Sequence, residues 1–590
     1  MHKKWVVAAK KADFNAIAAK FNISPYLARI IRNRDVIGDE AIDMFLNGGI
    51  SSMHSPALLK DIDIAGDILI DAIQSGIKIR IVGDYDIDGV CASYILKKGI
   101  SCLGGDVDVR LPDRILDGYG INEDIINEAY DDGVELIITC DNGVSAAKEI
   151  EKAIGLGISV IVTDHHEVPY EETDGIKRYI VPPADAVVDP KQEDCIYPFE
   201  GICGAMVAYK LIMYILDNPE YDLADFSADA DAFSDIAELK RELLSFAAFA
   251  TIGDVMELTD ENRVAVREGL KILRRTKNVG MSALIDVVGI EPSSVDVYHV
   301  GFILGPCVNA VGRLESAVKA LELFSETDRQ KAVVIAQELK NLNESRKNMT
   351  VFYTKTAIDM VNSSYSGDKV LVVYLPDCHE SIAGIVAGKV RENFYKPTIV
   401  LTDDAQGNLK GSGRSVEAYS MYEELTRVKE LFTKYGGHKM AAGMSLEGDR
   451  ADELRRRLNE NCTLTDEELV EKMTIDIPMP VGYITQEFVE ETDRLAPFGN
   501  ANPKPLFAQK DVPVKNIALL GKNQNVCKIR FEGINAKGER TEIDGVIFDN
   551  AQEAYEEISK AGKVSILYQA GMNEYMGRNS VQLIIKDYCL

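Results

Sequence analysis

The chain has 590 residues, 46% hydrophobic and 27% charged, and its 65 Lys+Arg stand against 94 Asp+Glu for a formal net charge of -29. That composition excludes a disordered or fibrous chain, and the acidic balance excludes a protein drawn to nucleic acid by its overall field. No apolar run reaches the ~18 residues that span a bilayer, and the opening Met1 to Lys10 is too short in apolar residues for a secretion signal, so a soluble cytoplasmic protein with no membrane role is expected.

At ~150 residues per domain the length predicts about four domains. The ten cysteines include no C-x-x-C pair and read as scattered reduced thiols, and two of the seven histidines, His165 and His166, are adjacent. In chain order, residues 1–55 form an N-terminal helical segment, with Phe14, Ile17, Ala18 and Phe21 at helix spacing. Residues 56–262 alternate short β-rich runs (77–82, 107–111, 134–139, 158–162) with helical stretches, which predicts a parallel sheet with helices on its faces. Residues 217–240 carry eight acids against one base and read as a surface insertion. A helical connector is expected over 263–360 and a second α/β domain over 361–462. Strand signals separated by Gly and Asn turns predict a small β-barrel over 463–590, with one helix at 551–561.

Three of the first-domain strands end in acids or histidines: Gly83-Asp84-Tyr85-Asp86-Ile87-Asp88-Gly89, Asp141-Asn142-Gly143 and Asp164-His165-His166-Glu167. Ligands of an open parallel sheet gather outside the carboxyl ends of its strands, so these groups are expected to converge in one cleft. Singly, each run is an ordinary helix cap or turn. Together, so many carboxylates repel one another unless a cation sits among them. Oxygen ligands with a minority of imidazoles and no thiolate suit Mn²⁺ or Mg²⁺ better than Zn²⁺. Two such ions ~3.5 to 4 Å apart serve phosphoryl chemistry.

The ordered set Asp84 to Gly89, Asp141-Asn142-Gly143, Asp164-His165-His166 and Thr251-Ile252-Gly253-Asp254-Val255 resembles the four phosphoesterase motifs of the DHH superfamily. Further runs, Asn309 to Leu314, Gly384 to Ala387, Gly411 to Ser415, Gly436-Gly437-His438 and Leu495 to Gly499, are similar to the RecJ exonuclease family, with DHH, DHHA1 and OB domains, over roughly residues 50–590. The resemblance implies that Asp86, Asp88, Asp141, His165, His166 and Asp254 hold two divalent ions, with Asp141 as the bridge. Asp84 and Asp164 match the same motifs as catalytic residues that either hold a metal or orient a group that does. It further implies that Ser412, Arg414 and Arg114 take the 5′-terminal phosphate, with Arg313 among the DNA-binding residues, and that His438 faces the scissile phosphate or the leaving group.

From the residues themselves, Gly411 to Ser415 reads either as an anion-binding nest of backbone N–H groups or as a surface turn. Arg263, Arg267, Lys271 and Arg274 lie on one helix face, a solvated stripe or the lining of a DNA channel. Tyr119 is placed to stack on a base or to pack a turn, and Lys515, Lys522, Lys528, Arg530 and Arg578 to track a backbone along the barrel. The expected activity is a two-metal exonuclease that degrades single-stranded DNA from a 5′ end and releases 5′-mononucleotides in DNA repair and recombination. A monomer working with a helicase and a single-strand-binding protein is implied. The alternatives are a DHH phosphodiesterase of short oligonucleotides or cyclic dinucleotides, a manganese pyrophosphatase, and a non-catalytic replication scaffold.

Overall fold

The structure, a computed structural model, describes residues 3–114, 116–173, 176–221, 236–404, 407–575 and 578–590. Most of the predicted acidic insertion, 222–235, lies outside the described residues; at its flanks Asp217 and Lys240 form an ion pair. The chain divides into two compact units, one of Met1–Trp5, Arg313–Glu315 and Glu338–Met473, the other of Val6–Gly312, Ser316–Gln337 and Thr474–Leu590.

In the larger unit, α1 (Phe14–Phe21), α2 (Pro25–Asn33) and α3 (Asp39–Asn47) open the chain. Asp13 and Ser24 start the first two by accepting the N–H groups of Ala16 and Leu27. Leu27, Ile30, Ile31 and Phe45 share one core with Phe507, Ile529 and Phe531 of the C-terminal barrel. Arg34 forks onto Asp476 at 2.6 and 3.0 Å, with both side chains buried.

The expected alternation follows: α4 (Ile62–Ser75), β1 (Lys78–Val82), α5 (Ile87–Cys102), β2 (Asp106–Arg110), α6 (Glu123–Asp131), β3 (Leu136–Cys140), α7 (Ala147–Gly155), β4 (Ser159–Thr163), β5 (Ala186–Val188), α8 (Gly204–Asp217), α9 (Ile236–Gly253) and α10 (Asp260–Leu273). The five strands are all parallel, in the order β2-β1-β3-β4-β5. The Val/Ile-rich runs of β1, β3, β4 and β5 are buried on both faces, as a doubly covered parallel sheet requires, whereas the edge strand β2 is only half-buried. Chain direction across the sheet reverses between β1 and β3, and a ligand crevice opens at such a switch point. The three-residue fifth strand was not among the predicted β-rich runs.

The connector contains α11 (Val279–Val288), α12 (Gly305–Leu314) and the 32-residue α13 (Arg329–Met360). The smaller unit holds β6 (Leu371–Tyr374), α14 (Glu380–Phe394), β7 (Thr398–Asp403), β8 (Leu409–Arg414), β9 (Phe432–Gly437) and β10 (Ala441–Leu446). Their order is β9-β10-β8-β7-β6, with β6 and β7 parallel and the rest antiparallel.

At the C-terminus, β11 (Phe507–Leu520), β12 (Val526–Ile534), β13 (Arg540–Ile547), β14 (Lys563–Tyr575) and β15 (Arg578–Cys589) close into a five-stranded barrel. Closure follows because β11 pairs with both β12 and β14, and the expected helix α15 (Ala551–Ala561) packs into the same core. No helix among the described residues is long and apolar enough to cross a membrane.

Candidate metal centre

Each acidic run sits where a strand of the parallel sheet ends. After β1, Asp84 is buried, and Asp86 caps α5 by accepting the N–H groups of Asp88 at 2.9 Å and Gly89 at 3.2 Å. The cap reading of this motif is therefore correct for Asp86, whose carboxylate also belongs to one of the ligand groups below. Gly89 is required by close approach: a Cβ there would lie 2.5 Å from the Asp84 backbone. Asp88 is fixed by the start of α8, whose Gly204 and Ala205 N–H groups donate to its two oxygens at 2.7 and 2.8 Å.

After β3, Asp141 adopts φ 61, a left-handed conformation uncommon outside glycine. Tyr119 Oη donates to its carbonyl at 2.7 Å. After β4, Asp164 accepts from the backbone of Val144 and His165 and bonds His166 Nδ1 at 2.8 Å. Asp254 follows the last residue of α9.

Among the described residues, three groups bring possible ligand atoms within 4.8 Å of one another: Asp84, Asp86 and Asp141; Asp88, His165 and Asp254; and Asp141, His165 and His166. His165 Nε2 lies 3.1 Å from Asp141 and 3.5 Å from Asp88. Asp141 belongs to two of the groups, the arrangement a bridging ligand needs. Asp84 falls in a ligand group, whereas Asp164 holds the His166 ring and joins none of the three.

The electrostatics match an unneutralised cation site. Burial, then the Asp86 charge, pushes the Asp84 pKa well up, and burial with Asp88, Asp86, Asp84 and Asp164 does the same to Asp141. Asp254 rises to about 8 through burial and the charges of Asp88 and Asp86. Burial lowers the His165 pKa. Burial works the same way on His166, but its bond to Asp164 prevails and holds it at about 9. The Asp84 Oδ1 and His165 Nδ1 atoms are buried without a hydrogen-bond partner. A hard divalent ion would satisfy the carboxylates, so oxygen-rich ligation of the Mn²⁺ or Mg²⁺ kind fits these residues.

Beside the centre runs a chain of rings. Arg114 lies over the Tyr85 ring at 4.8 Å, and Tyr119 meets Tyr85 and His166 edge-on at 6.4 and 5.7 Å. Several supporting residues had no role assigned to them from the sequence. Asn309 accepts the Ile87 N–H at 2.8 Å, and Asn500 donates to the Val255 carbonyl at 2.8 Å. Asp189, at the end of β5, is fully buried, with a pKa raised to about 7 by burial and the Asp164 charge. The strand-then-acid pattern of Val187-Val188-Asp189 was the available signal for it.

In the smaller unit, Ser412 and Arg414 lie two apart on β8 and so share a face, against Gly384 of α14, where a Cβ would meet Arg414 Nη2 at 2.9 Å. Arg313 donates to the Ser381 carbonyl at 2.8 Å. His438 is exposed at the tip between β9 and β10, its backbone bonded to Ala441.

Three expectations are corrected. Gly411 to Arg414 is neither a nest nor a turn: it is the central strand of its sheet, with β7 and β10 paired on its two sides, so any anion there meets side chains. Arg263 lines no channel: it is fully buried and donates to the carbonyls of Phe45, Arg494, Leu495, Ala496 and Pro497. On the barrel, Lys515 pairs with Glu542, and Lys528 and Arg530 pair with Asp544, so their charge is locally neutralised.

Family models match in three places: the DHH family N-terminal domain over residues 78–240, the DHHA1 domain over 367–463 and the RecJ OB domain over 475–587. A single-stranded-DNA-specific exonuclease RecJ of Bacillus subtilis is 34% identical over 99% of this chain and 70% of its own. That of Salmonella typhimurium is 30% identical over 96% of each. The chain belongs to the RecJ family. RecJ of Thermus thermophilus in complex with Mn²⁺ shares the fold, with a TM-score of 0.79 at 24% identity over all of this chain and 79% of that one. An exonuclease RecJ bound to manganese superposes with a TM-score of 0.56 at 29% identity, over 68% of this chain and 94% of that one.

Proposed function

We propose that the chain is a metal-dependent exonuclease that degrades single-stranded DNA from its 5′ end and releases 5′-mononucleotides, acting in DNA repair and recombination in the cytoplasm. The observation that carries this reading is the pair of ligand groups sharing Asp141 at the switch point of the sheet, in a chain of a family whose relatives are named single-stranded-DNA-specific exonucleases.

Asp84, Asp86, Asp88, Asp141, His165, His166 and Asp254 are the residues that would hold two Mn²⁺ or Mg²⁺ ions. Bound ions of this kind supply Lewis acidity, activating water and neutralising charge on the phosphoryl oxygens. The protein's own contribution is to prevent reorganisation. Gly204 and Ala205 clamp Asp88, Asp164 fixes the His166 ring, and Tyr119 holds the Asp141 carbonyl. Ser412 and Arg414 are assigned to the 5′-terminal phosphate because their side chains share one strand face, and Arg114 and Arg313 are assigned to the same strand. Tyr119 offers a ring to the terminal base, and His438 is assigned to the leaving oxygen. The partners of this reading are a helicase that supplies unwound strand and a single-strand-binding protein, with the enzyme itself a monomer.

The test is digestion of an end-labelled single strand with Mn²⁺ or Mg²⁺, beside a duplex control. Asp141→Ala is expected to abolish product, and near-normal metal-dependent cleavage by that variant would overturn the site assignment.

A further inference from the structure

Two large aromatic side chains stand in solvent beside a basic groove. Tyr298 is 60% exposed and Phe302 66%, and their rings stack with centroids 5.1 Å apart and planes 27° from parallel. The groove next to Tyr298 has a volume of about 430 Å³ and is lined by Arg267, Lys271 and Arg274 of the α10 region together with Pro497 and Phe498. Lys271 and Arg274 also line an adjoining hollow of about 430 Å³ that includes Arg241 and Arg275. Five cations stand there against two acids, Glu268 and Asp296, in a molecule whose net charge is -29. Lys271 is 58% exposed beyond its pairing with Glu268, and the guanidinium of Arg274 meets the Val295 carbonyl through Nε at 2.8 Å. A local reversal of sign against so acidic a background selects an anion, and exposed stacked rings select one that carries aromatic bases.

Placement agrees. Residues Val300–Leu304 form a π-helical turn, a local under-winding that recurs at functional sites, and run directly into α12. Asn309 on α12 caps Ile87 of the metal-site loop. At ~1.5 Å per residue, Phe302 stands ~10 Å along the helix from that contact. A strand with its reacting phosphate at the carboxylates has only to extend along this helix to meet the rings.

We propose that Tyr298 and Phe302 form a base-stacking step, and Arg267, Lys271 and Arg274 a phosphate track, for the part of a single strand that trails away from the metal centre. This subsite rests on the nuclease reading and adds to it a reason for preferring long strands. Both rings are exposed, so truncating them leaves the fold intact.

The experiment compares the wild-type chain with a Tyr298→Ala/Phe302→Ala double variant. Affinity for a long fluorescent oligothymidylate is measured in chelator, with and without abasic sites in its trailing part, and cleavage of that strand and of a 5′-phosphorylated dinucleotide is measured with Mn²⁺. The double variant is expected to bind the long strand about tenfold or more weakly, to lose the wild type's preference for bases over abasic sites, and to cleave the dinucleotide normally. Phe302→Trp, restoring a ring, is expected to recover most of the affinity. Unchanged long-strand affinity with normal cleavage overturns the subsite and leaves the nuclease reading standing. Equal losses on both substrates mean a structural role and also overturn it. A change of oligomeric state with DNA affinity unaltered makes the rings a protein interface, and a wild-type chain that neither binds nor cuts single strands removes the nuclease reading and the subsite together.

Discussion

Asp254 shows at a single residue how the metal centre and the fold oppose each other. Burial and the charges of Asp88 and Asp86 lift its folded pKa from 3.8 to about 8. A carboxyl whose folded pKa is raised binds more protons folded than unfolded between those values. Its contribution to stability is therefore full below about 4 and is lost as pH rises through about 8. Chelator-treated protein should melt at a progressively lower temperature across that window, and Asp254→Asn should flatten the slope. Excess Mn²⁺ should restore the loss, because an ion that binds only the folded state stabilises it by mass action. Thermal melts with and without metal measure this, and a pH-independent melting temperature in chelator would contradict it. The residues that meet at the candidate centre were legible from sequence because parallel-sheet topology sends every strand end to one edge, so Asp84, Asp141 and Asp164 needed no contact information. Gly204, which clamps Asp88 from 116 residues away, carries no signal of its own.

Arg263 makes the same point for an element. Its spacing with Arg267, Lys271 and Arg274 matches α10 and its C-cap Arg274, but spacing does not say which way a helix faces. Here the first arginine points inward, over the Phe45 ring at 3.8 Å, and ties α3 and the 494–497 turn to α10. Five carbonyls depend on it, with bonds of 2.7 to 3.3 Å. Burial, then the Arg267 charge, lowers its pKa to about 9, but an array of acceptors this dense needs the charged fork. Lysine offers three donors and no planar fork, so Arg263→Lys orphans at least two buried carbonyls at ~1 to 3 kcal/mol each. We expect unfolding free energy to fall by about 3 kcal/mol or more, read from the denaturant midpoint, and an unchanged midpoint would show that other groups hold the turn. Of the remaining cations of the stripe, Lys271 is exposed, whereas Arg267 and Arg274 are half-buried and donate to the Leu46 and Val295 carbonyls, beside aromatic rings that no helical periodicity singled out. The sharing of one core by the N-terminal helices and the barrel was likewise invisible, since Leu27 and Phe531 lie some five hundred residues apart in the chain.

For the whole molecule the net charge of -29 sets a kinetic problem. A DNA strand approaching such a protein feels the net repulsion out to about the screening length, ~30 Å in ~0.01 M salt and ~8 Å in ~0.15 M, and little of it beyond. Only inside that length does it respond to the local cations beside Tyr298 or at β8. Added salt therefore has two opposed effects. It shields the repulsive outer field and speeds encounter, and it weakens the phosphate contacts once they form, with a slope of about -0.7 per contact for a single strand. An enzyme with a basic surface shows the opposite sign in its association rate, which falls as salt rises. Stopped-flow binding of a labelled strand to chelated enzyme separates the two: the association rate constant should rise from low to moderate salt while dissociation accelerates throughout. An association rate that falls steadily over the same range would mean that the strand is steered from afar by a positive field, and the acidic surface would then have no part in controlling which DNA reaches the centre.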